Sequence, residues 1–278
     1  MGYRSILVQV DLGRGAEARV AAAARIAADQ NAILTGVYLR SDVMPHLMAA
    51  DGVVPPVIAN DASAEEGRAK MAAANAEARG LFDAAVNAAG IQSHWYVIGG
   101  DTGVALVTYA RRHDLVILPR RMKAAFGDNT ISAEQIGMKC GGPVLVLPES
   151  GYPAKFGRKI LVAWKDSRES ARVLRDALPF LKAAEEIHFV TAVQDGQRDL
   201  DDLLQRQLEI HGCPTATLRI DRDTDIPTGD VIRRHVDMIG ADMVVIGLFG
   251  RPRLAELVLG GVSRNMLDHL KMPLLVSH

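Results

Sequence analysis

Ile160-Leu161-Val162, with Lys159 just before it, repeats Ile6-Leu7-Val8, which follows Arg4, at a distance of 154 positions. Two further matches follow in the same order. His113-Asp114-Leu115-Val116-Ile117-Leu118 corresponds to Ala241-Asp242-Met243-Val244-Val245-Ile246 at an offset of 128, and Pro143-Val144-Leu145-Val146 to Pro273-Leu274-Leu275-Val276 at 130. One unit is written twice, and such a self-match decides the fold before any single element does. Because the offset falls from 154 to 128, the second copy is 26 residues shorter. The extra material of the first copy falls at about Ser41–Ser63, where Pro45, Gly52, Pro55 and Pro56 predict a loop or lid.

Working outward, each copy alternates short β-rich runs with helical stretches. In the first copy the pattern predicts strands over 6–10, 32–39, 94–98, 115–118 and 144–147, and helices over 16–30, 64–89, 102–112 and 132–139. In the second copy it predicts strands over 160–164, 187–193, 215–220, 243–246 and 274–277. Strands that are apolar on both faces and separated by helices mean a parallel sheet covered on each side. The predicted class is α/β: two tandem, open, five-stranded, parallel-sheet domains of Rossmann-like type, spanning 1–150 and 151–278. Glu149 to Arg158, with Gly151, Pro153 and Gly157, reads as the linker.

Composition narrows the function classes. A chain of 278 residues fits two units, at about 100–200 residues per domain. With 32 Lys and Arg against 33 Asp and Glu, the net charge of -1 argues against a broad surface for nucleic acid, which needs a basic face that releases counterions. It leaves room for one small basic pocket. Cys140 and Cys213 have no metal-ligand or CxxC spacing and read as buried small hydrophobes in a reducing compartment. The first apolar run is too short for a signal peptide, no stretch is long enough for a membrane span, and Gly2 lacks a Ser or Thr at position 6. A soluble cytoplasmic protein without a nucleic-acid or membrane partner is expected.

Beyond the fourth strand of the second copy the chain reads Gly247-Leu-Phe-Gly250-Arg-Pro-Arg253-Leu-Ala-Glu-Leu-Val-Leu-Gly260-Gly261-Val262-Ser263. The spacing Gly-x2-Gly-x9-Gly sits past the carboxyl end of a strand and before a predicted helix, where open α/β sheets bind ligands. Glycine lets backbone approach phosphate oxygens, and free amides at a helix start supply donors. Arg251 and Arg253 add permanent positive charge. Together these predict a phosphate cradle.

These residues, with Ile160-Leu-Val-Ala-Trp-Lys-Asp-Ser167, the strand Ala241–Gly247 and the closing Pro273-Leu-Leu-Val276, resemble the universal stress protein family in its two-domain form. The resemblance spans nearly all of both halves. It implies an adenine nucleotide alpha hydrolase-like fold, cytoplasmic and commonly dimeric proteins tied to stress survival, and ATP, with or without magnesium, as the cofactor bound by the glycine motif. It also implies that the halves pack as a pseudo-dimer through Val144–Leu147 and Leu274–Ser277, with further homodimerisation open. On this reading the phosphates lie on Gly247, Gly250, Gly260, Gly261, Val262 and Ser263, flanked by Arg251, Arg253 and Lys165, and the base lies near Ala163 and Val193. No catalytic residue and no metal ligand set is expected.

The departures from the family pattern are specific. Gly261 stands where the ATP-binding members carry Ser or Thr, and Lys165 stands where they carry the Asp that holds ribose. Lysine accepts no hydrogen bond. The first copy is the reverse: Asp11 is at the ribose position, but Pro119, Met122, Asn129 and Thr130 replace the glycines, so no orthodox nucleotide site is expected in residues 1–150. The alternatives are a stress scaffold or sensor that binds no nucleotide, and a slow ATP hydrolase or phosphotransferase in which Lys165, Arg251 and Arg253 neutralise charge. The glycines can equally serve only a tight turn, Arg251 and Arg253 can be plain solvated charges, and Asp11 can be a turn or helix-entry residue. His46 reads as a solvated loop histidine.

Overall fold

The computed structural model describes residues 2–40, 61–99, 102–123, 130–149, 151–192, 200–221, 228–248, 250–253, 256–259 and 271–278. In the first half these are β1 (Ser5–Val10), α1 (Ala16–Gln30), β2 (Ile33–Leu39), α2 (Asp61–Ala89), β3 (Ser93–Ile98), α3 (Thr102–Ala110), β4 (Leu115–Pro119), β5 (Arg121–Lys123), β6 (Thr130–Ser132), α4 (Ala133–Cys140) and β7 (Val144–Leu147). In the second they are β8 (Lys159–Ala163), α5 (Arg168–Asp176), α6 (Leu178–Ala183), β9 (Glu186–Ala192), α7 (Leu200–Ile210), β10 (Ala216–Asp221), α8 (Thr228–Ile239), β11 (Met243–Gly247), β12 (Gly250–Arg253), β13 (Glu256–Leu259) and β14 (Leu274–Ser277). The helix expected from Ala64 begins at Asp61, so the last residues assigned to the inserted loop belong to α2. The rest of that loop lies outside the described residues.

One ten-stranded sheet runs β10-β9-β8-β11-β14-β7-β4-β1-β2-β3. Within each half neighbouring strands are parallel, whereas the halves meet where β14 and β7 pair antiparallel, Leu274 with Val146, Leu275 with Leu145 and Val276 with Val144. This is the seam expected from the two closing strands, and it removes what would otherwise be two unpaired sheet edges. Around the seam β4, β7, β11 and β14 are buried along their whole length, as parallel strands covered on both faces should be. The edge strand β3, Ser-His-Trp-Tyr-Val-Ile, is largely exposed.

Alternate residues of the strands enter two cores. On one face Ile6, Val8, Ile117, Leu145, Leu275, Val245 and Val162 pack beneath α1, α2, α5 and α7. On the opposite face Leu7, Val116, Val144, Val276, Val244 and Leu161 pack with α3, α4 and α8. Both cores cross the seam, so the halves share their interior. Helix α5 reinforces the junction. Arg172 Nη2 donates to the Gly141 carbonyl at 2.7 Å, the Tyr3 hydroxyl donates to the Asp176 carbonyl, and Ser277 Oγ donates to Asp176 Oδ2 at 2.6 Å.

Burial raises the Asp176 carboxyl above its ordinary value, against the lowering effect of the Ser277 hydrogen bond. A folded-state pKa above the unfolded one gives stability that is present below the unfolded value and lost as pH rises through the folded value. Asp176→Asn keeps an acceptor for Ser277 and removes the charge. An unfolded aspartate titrates near pH ~3.9, so the stability of the variant relative to the parent is expected to rise between about pH 4 and pH 7 in urea denaturation. An equal difference at both pH values would show that the carboxylate is not desolvated.

The aspartates that mark the repeat act at the far end of the strands from the glycines. Asp114 accepts from the Arg4 and Ser5 amides at 2.8 and 3.0 Å, and Asp242 accepts from the Gly157, Arg158 and Lys159 amides at 3.0 to 3.2 Å. Each ties the amino end of its half's first strand, β1 or β8, to the amino end of β4 or β11. That is a structural reason for the repeated Asp.

Candidate functional site

From β8 the chain steps outward to β9 and β10 and then returns to β11 on the other side of β8. The winding reverses there, and a crevice forms outside the carboxyl ends of strands at such a point. Ala163 ends β8, and Gly247 follows Ile246, its register partner, at the end of β11. Just beyond β8 the Lys165 amide donates to Ser170 Oγ at 3.2 Å, and Ser167 caps α5 by accepting from the Ser170 amide at 3.3 Å. The first turn of α5 is thereby held over the strand ends.

Gly247 has a packing task in this arrangement. A Cβ there would lie 2.9 Å from the Glu169 carbonyl carbon and 3.0 Å from the Ser170 amide nitrogen, so only glycine lets α5 begin against the end of β11. The following segment forms an antiparallel hairpin rather than a plain loop: Gly250 pairs with Leu259, Arg251 with Val258, Pro252 with Leu257 and Arg253 with Glu256. The nine-residue spacer therefore returns the chain, so that the residue before Gly260 lies opposite Gly250. Val193, Gly260, Gly261, Val262 and Ser263 lie outside the described residues, and Arg251 and Arg253 are described through their backbone pairing alone. Of the residues expected at the site, the structure brings Ala163, Lys165 and Gly247 to one crevice.

The first half also has a hairpin here, with three pairs rather than four and with Gly127 in the longer stretch of sequence between its strands. Arg121 pairs with Ser132, Met122 with Ile131 and Lys123 with Thr130, directly after β4.

The equivalent crevice of the first half, between β1 and β4, is filled by the protein. Arg19, only 2% exposed, donates from Nε to the Gln9 carbonyl at 3.0 Å and from Nη2 to Gln9 Oε1 at 3.2 Å and Asp11 Oδ2 at 2.9 Å. The other Asp11 oxygen accepts from the Gly13 amide at 2.8 Å. Burial lowers the Arg19 pKa and Asp11 opposes that shift. Gly15, with φ of +78°, lies against the linker, where a Cβ would come 2.4 Å from the Glu149 carbonyl oxygen. Asp11 is thus the partner of a buried arginine and a turn residue. At the 154-residue offset, Ala163 and Val173 stand where the first half has Gln9 and Arg19. No sequence pattern announces Arg19, because an arginine within an alanine-rich helix reads as a solvated charge.

Among the described residues no group of three or more His, Cys, Asp or Glu side chains is placed to hold a metal ion, and no helix is long and apolar enough to cross a membrane.

Residues 222–278 match the model of the universal stress protein family. The whole fold is similar to that of a universal stress protein from Archaeoglobus fulgidus DSM 4304, with a TM-score of 0.73 at 16% identity, covering 98% of this chain and 97% of that one. It is also similar to a functionally unknown protein from Pseudomonas aeruginosa PAO1, with a TM-score of 0.56 at 17% identity over 99% and 92% of the two chains. No curated protein matches the chain. The resemblance drawn from the sequence and the Rossmann-like two-half architecture are borne out together: the family match falls on the half that carries the glycine motif, and the fold extends over both.

Proposed function

We propose that this chain is a cytoplasmic, tandem universal stress protein whose second half binds ATP or a related adenine nucleotide, while the first half is structural or regulatory. The observation that carries this reading is the contrast between two equivalent crevices in one molecule. At the carboxyl end of β1 Arg19 binds Gln9 and Asp11, whereas at the end of β8 the residues corresponding to Gln9 and Arg19 are Ala163 and Val173 and the glycine hairpin follows β11. The donor set fits the phosphate end of a nucleotide better than its ribose end. Glycine amides of Gly250, Gly260 and Gly261, the Val262 amide and Ser263 would hold phosphates, with Arg251, Arg253 and Lys165 supplying charge. The base would lie near Ala163 and Val193. When bound, the nucleotide supplies a phosphate-rich ligand that stabilises the second half; the chain's own residues bind and orient it.

Millimolar ATP with magnesium is expected to raise the thermal midpoint. At 100 times the dissociation constant the stabilisation is about 2.7 kcal/mol, roughly 5–10 °C for a chain of this size. No shift, together with no nucleotide in denatured extracts of the purified protein, would sink the reading and favour a scaffold that binds none.

The two departures give a second test. In Lys165→Asp/Gly261→Ser the ribose acceptor and a phosphate-side hydroxyl are restored, and hydrogen bonds to charged groups contribute about 1.5–3 kcal/mol each. Affinity for ATP is expected to rise by at least tenfold in calorimetric titration. Unchanged affinity would mean that neither position touches the ligand.

A further inference from the structure

The chain leaves β11 for the glycine hairpin through Leu248, and that residue is held by three contacts. Its amide donates to the Ser277 carbonyl at 2.7 Å. Its carbonyl accepts from Nδ1 of the half-buried His278 at 2.9 Å. Its side chain is fully buried in the core that α4 covers, and Gly250, the first residue of the hairpin, stands two positions on.

The side-chain contact comes from the other half of the chain. Gly137, buried in the middle of α4, faces Leu248 across the seam. A Cβ at this glycine would lie 2.7 Å from Leu248 Cδ1, with Val276 and Val144 methyls at 3.6 and 3.7 Å. Carbon atoms in good contact stand about 3.5–4.0 Å apart, so the missing side chain is what lets Leu248 sit against α4. The helix itself gains nothing from glycine here, because alanine is the better helix former.

The first half does not repeat the arrangement. The chain leaves β4 through Arg120, which corresponds to Leu248 at the 128-residue offset and is only half-buried, and Pro148 corresponds to His278 at the offset of 130. Proline has no side-chain donor. The buried apolar anchor and the imidazole donor thus belong to the glycine hairpin alone of the two.

We propose that Gly137 and His278 are positioning residues for the nucleotide site and act through Leu248. His278 fixes the carbonyl at the root of the hairpin, and the first half, through α4, fixes the side chain. The inference rests on the nucleotide reading of this hairpin and gives the first half its route to the site: a displacement of α4 moves Leu248, and with it Gly250. Both residues act without touching the nucleotide.

Three variants of the full chain test this. His278→Ala is expected to weaken ATP about three- to tenfold in calorimetric titration, the worth of one hydrogen bond. His278→Asn, which returns an N–H donor close to the position of Nδ1, should bring affinity back to within about twofold of the parent. Gly137→Ala should weaken ATP about threefold or more, although the thermal midpoint of the nucleotide-free protein stays level or rises. Hydrogen exchange of the nucleotide-free protein supplies a readout in which ATP has no part: amides of β12 and β13 should exchange faster in both alanine variants, while those of β1 and β2 keep the parent's rates. Unchanged ATP affinity in the alanine variants overturns the proposal, as does His278→Asn binding no better than His278→Ala, or hairpin exchange at the parent's rate. A parent that binds no ATP removes the nucleotide reading instead, and the exchange rates then decide alone whether Leu248 anchors the hairpin.

Discussion

Asp11→Ala is expected to lower stability by about 3 kcal/mol or more while leaving nucleotide binding intact. Removing one partner of a buried ion pair costs about 3–5 kcal/mol because the other charge stays buried without compensation. Here the stranded group is Arg19, 2% exposed, which would keep only the two Gln9 oxygens as acceptors. Asp11 itself is 33% exposed, which screens the pair and places the loss at the lower end of that range. At about 2–4 °C per kcal/mol the thermal midpoint should fall by roughly 6–12 °C. The double variant Asp11→Ala/Arg19→Met should recover much of the loss, since no charge is then buried unpaired. A small loss in the single variant, or no recovery in the double one, would show that the network is not what holds the carboxyl end of β1.

Gly247→Val is expected to abolish ATP-dependent stabilisation and to destabilise the chain by about 1–3 kcal/mol, the usual cost of overpacking. The first added carbon already lies 2.9–3.0 Å from the Glu169 and Ser170 backbone, which cannot move as a side-chain tip could. Helix α5 must retreat, and with it Ser167, Ser170 and the backbone of Lys165, which together shape the crevice. Gly250→Val separates binding from folding. Gly250 is a strand residue, and a β-branched side chain suits a strand, so this variant should keep the parent's stability within about 1 kcal/mol and still lose the shift with ATP. Retained ATP stabilisation in both variants would remove the glycine hairpin from the account.

The sheet was legible because its inner strands are covered on both faces. Runs such as Leu115–Leu118 and Val244–Ile246 have no polar side to hide, and their repetition at fixed offsets exposed the pseudo-symmetry, including the pairing of Val144–Leu147 with Leu274–Ser277. The hairpins were not legible. Gly250–Arg253 holds two arginines and a proline, and Thr130–Ser132 is three residues long, so neither carries an alternating signal. Within the candidate site, the glycine spacing pointed to the end of β11, but the sequence alone could not separate packing from ligand contact. Gly247 shows the difficulty: the same residue is demanded by the approach of α5 whether or not a phosphate lies nearby. Asp11 shows it from the other side. A carboxylate after the first strand suits a ribose, yet eight positions later Arg19 turns inward and claims it.

The proposed nucleotide site belongs to the second half alone, since Gln9, Arg19 and Asp11 bind one another at the equivalent place of the first half, and it predicts a single nucleotide per chain. Calorimetric titration of ATP and magnesium into the nucleotide-free protein tests this most directly, repeated on Asp11→Ala and Gly250→Val. The account predicts a stoichiometry of one, retained in Asp11→Ala and lost in Gly250→Val. A stoichiometry of two, no heat of binding at millimolar ATP, or a site lost with Asp11 and kept without Gly250 would contradict it.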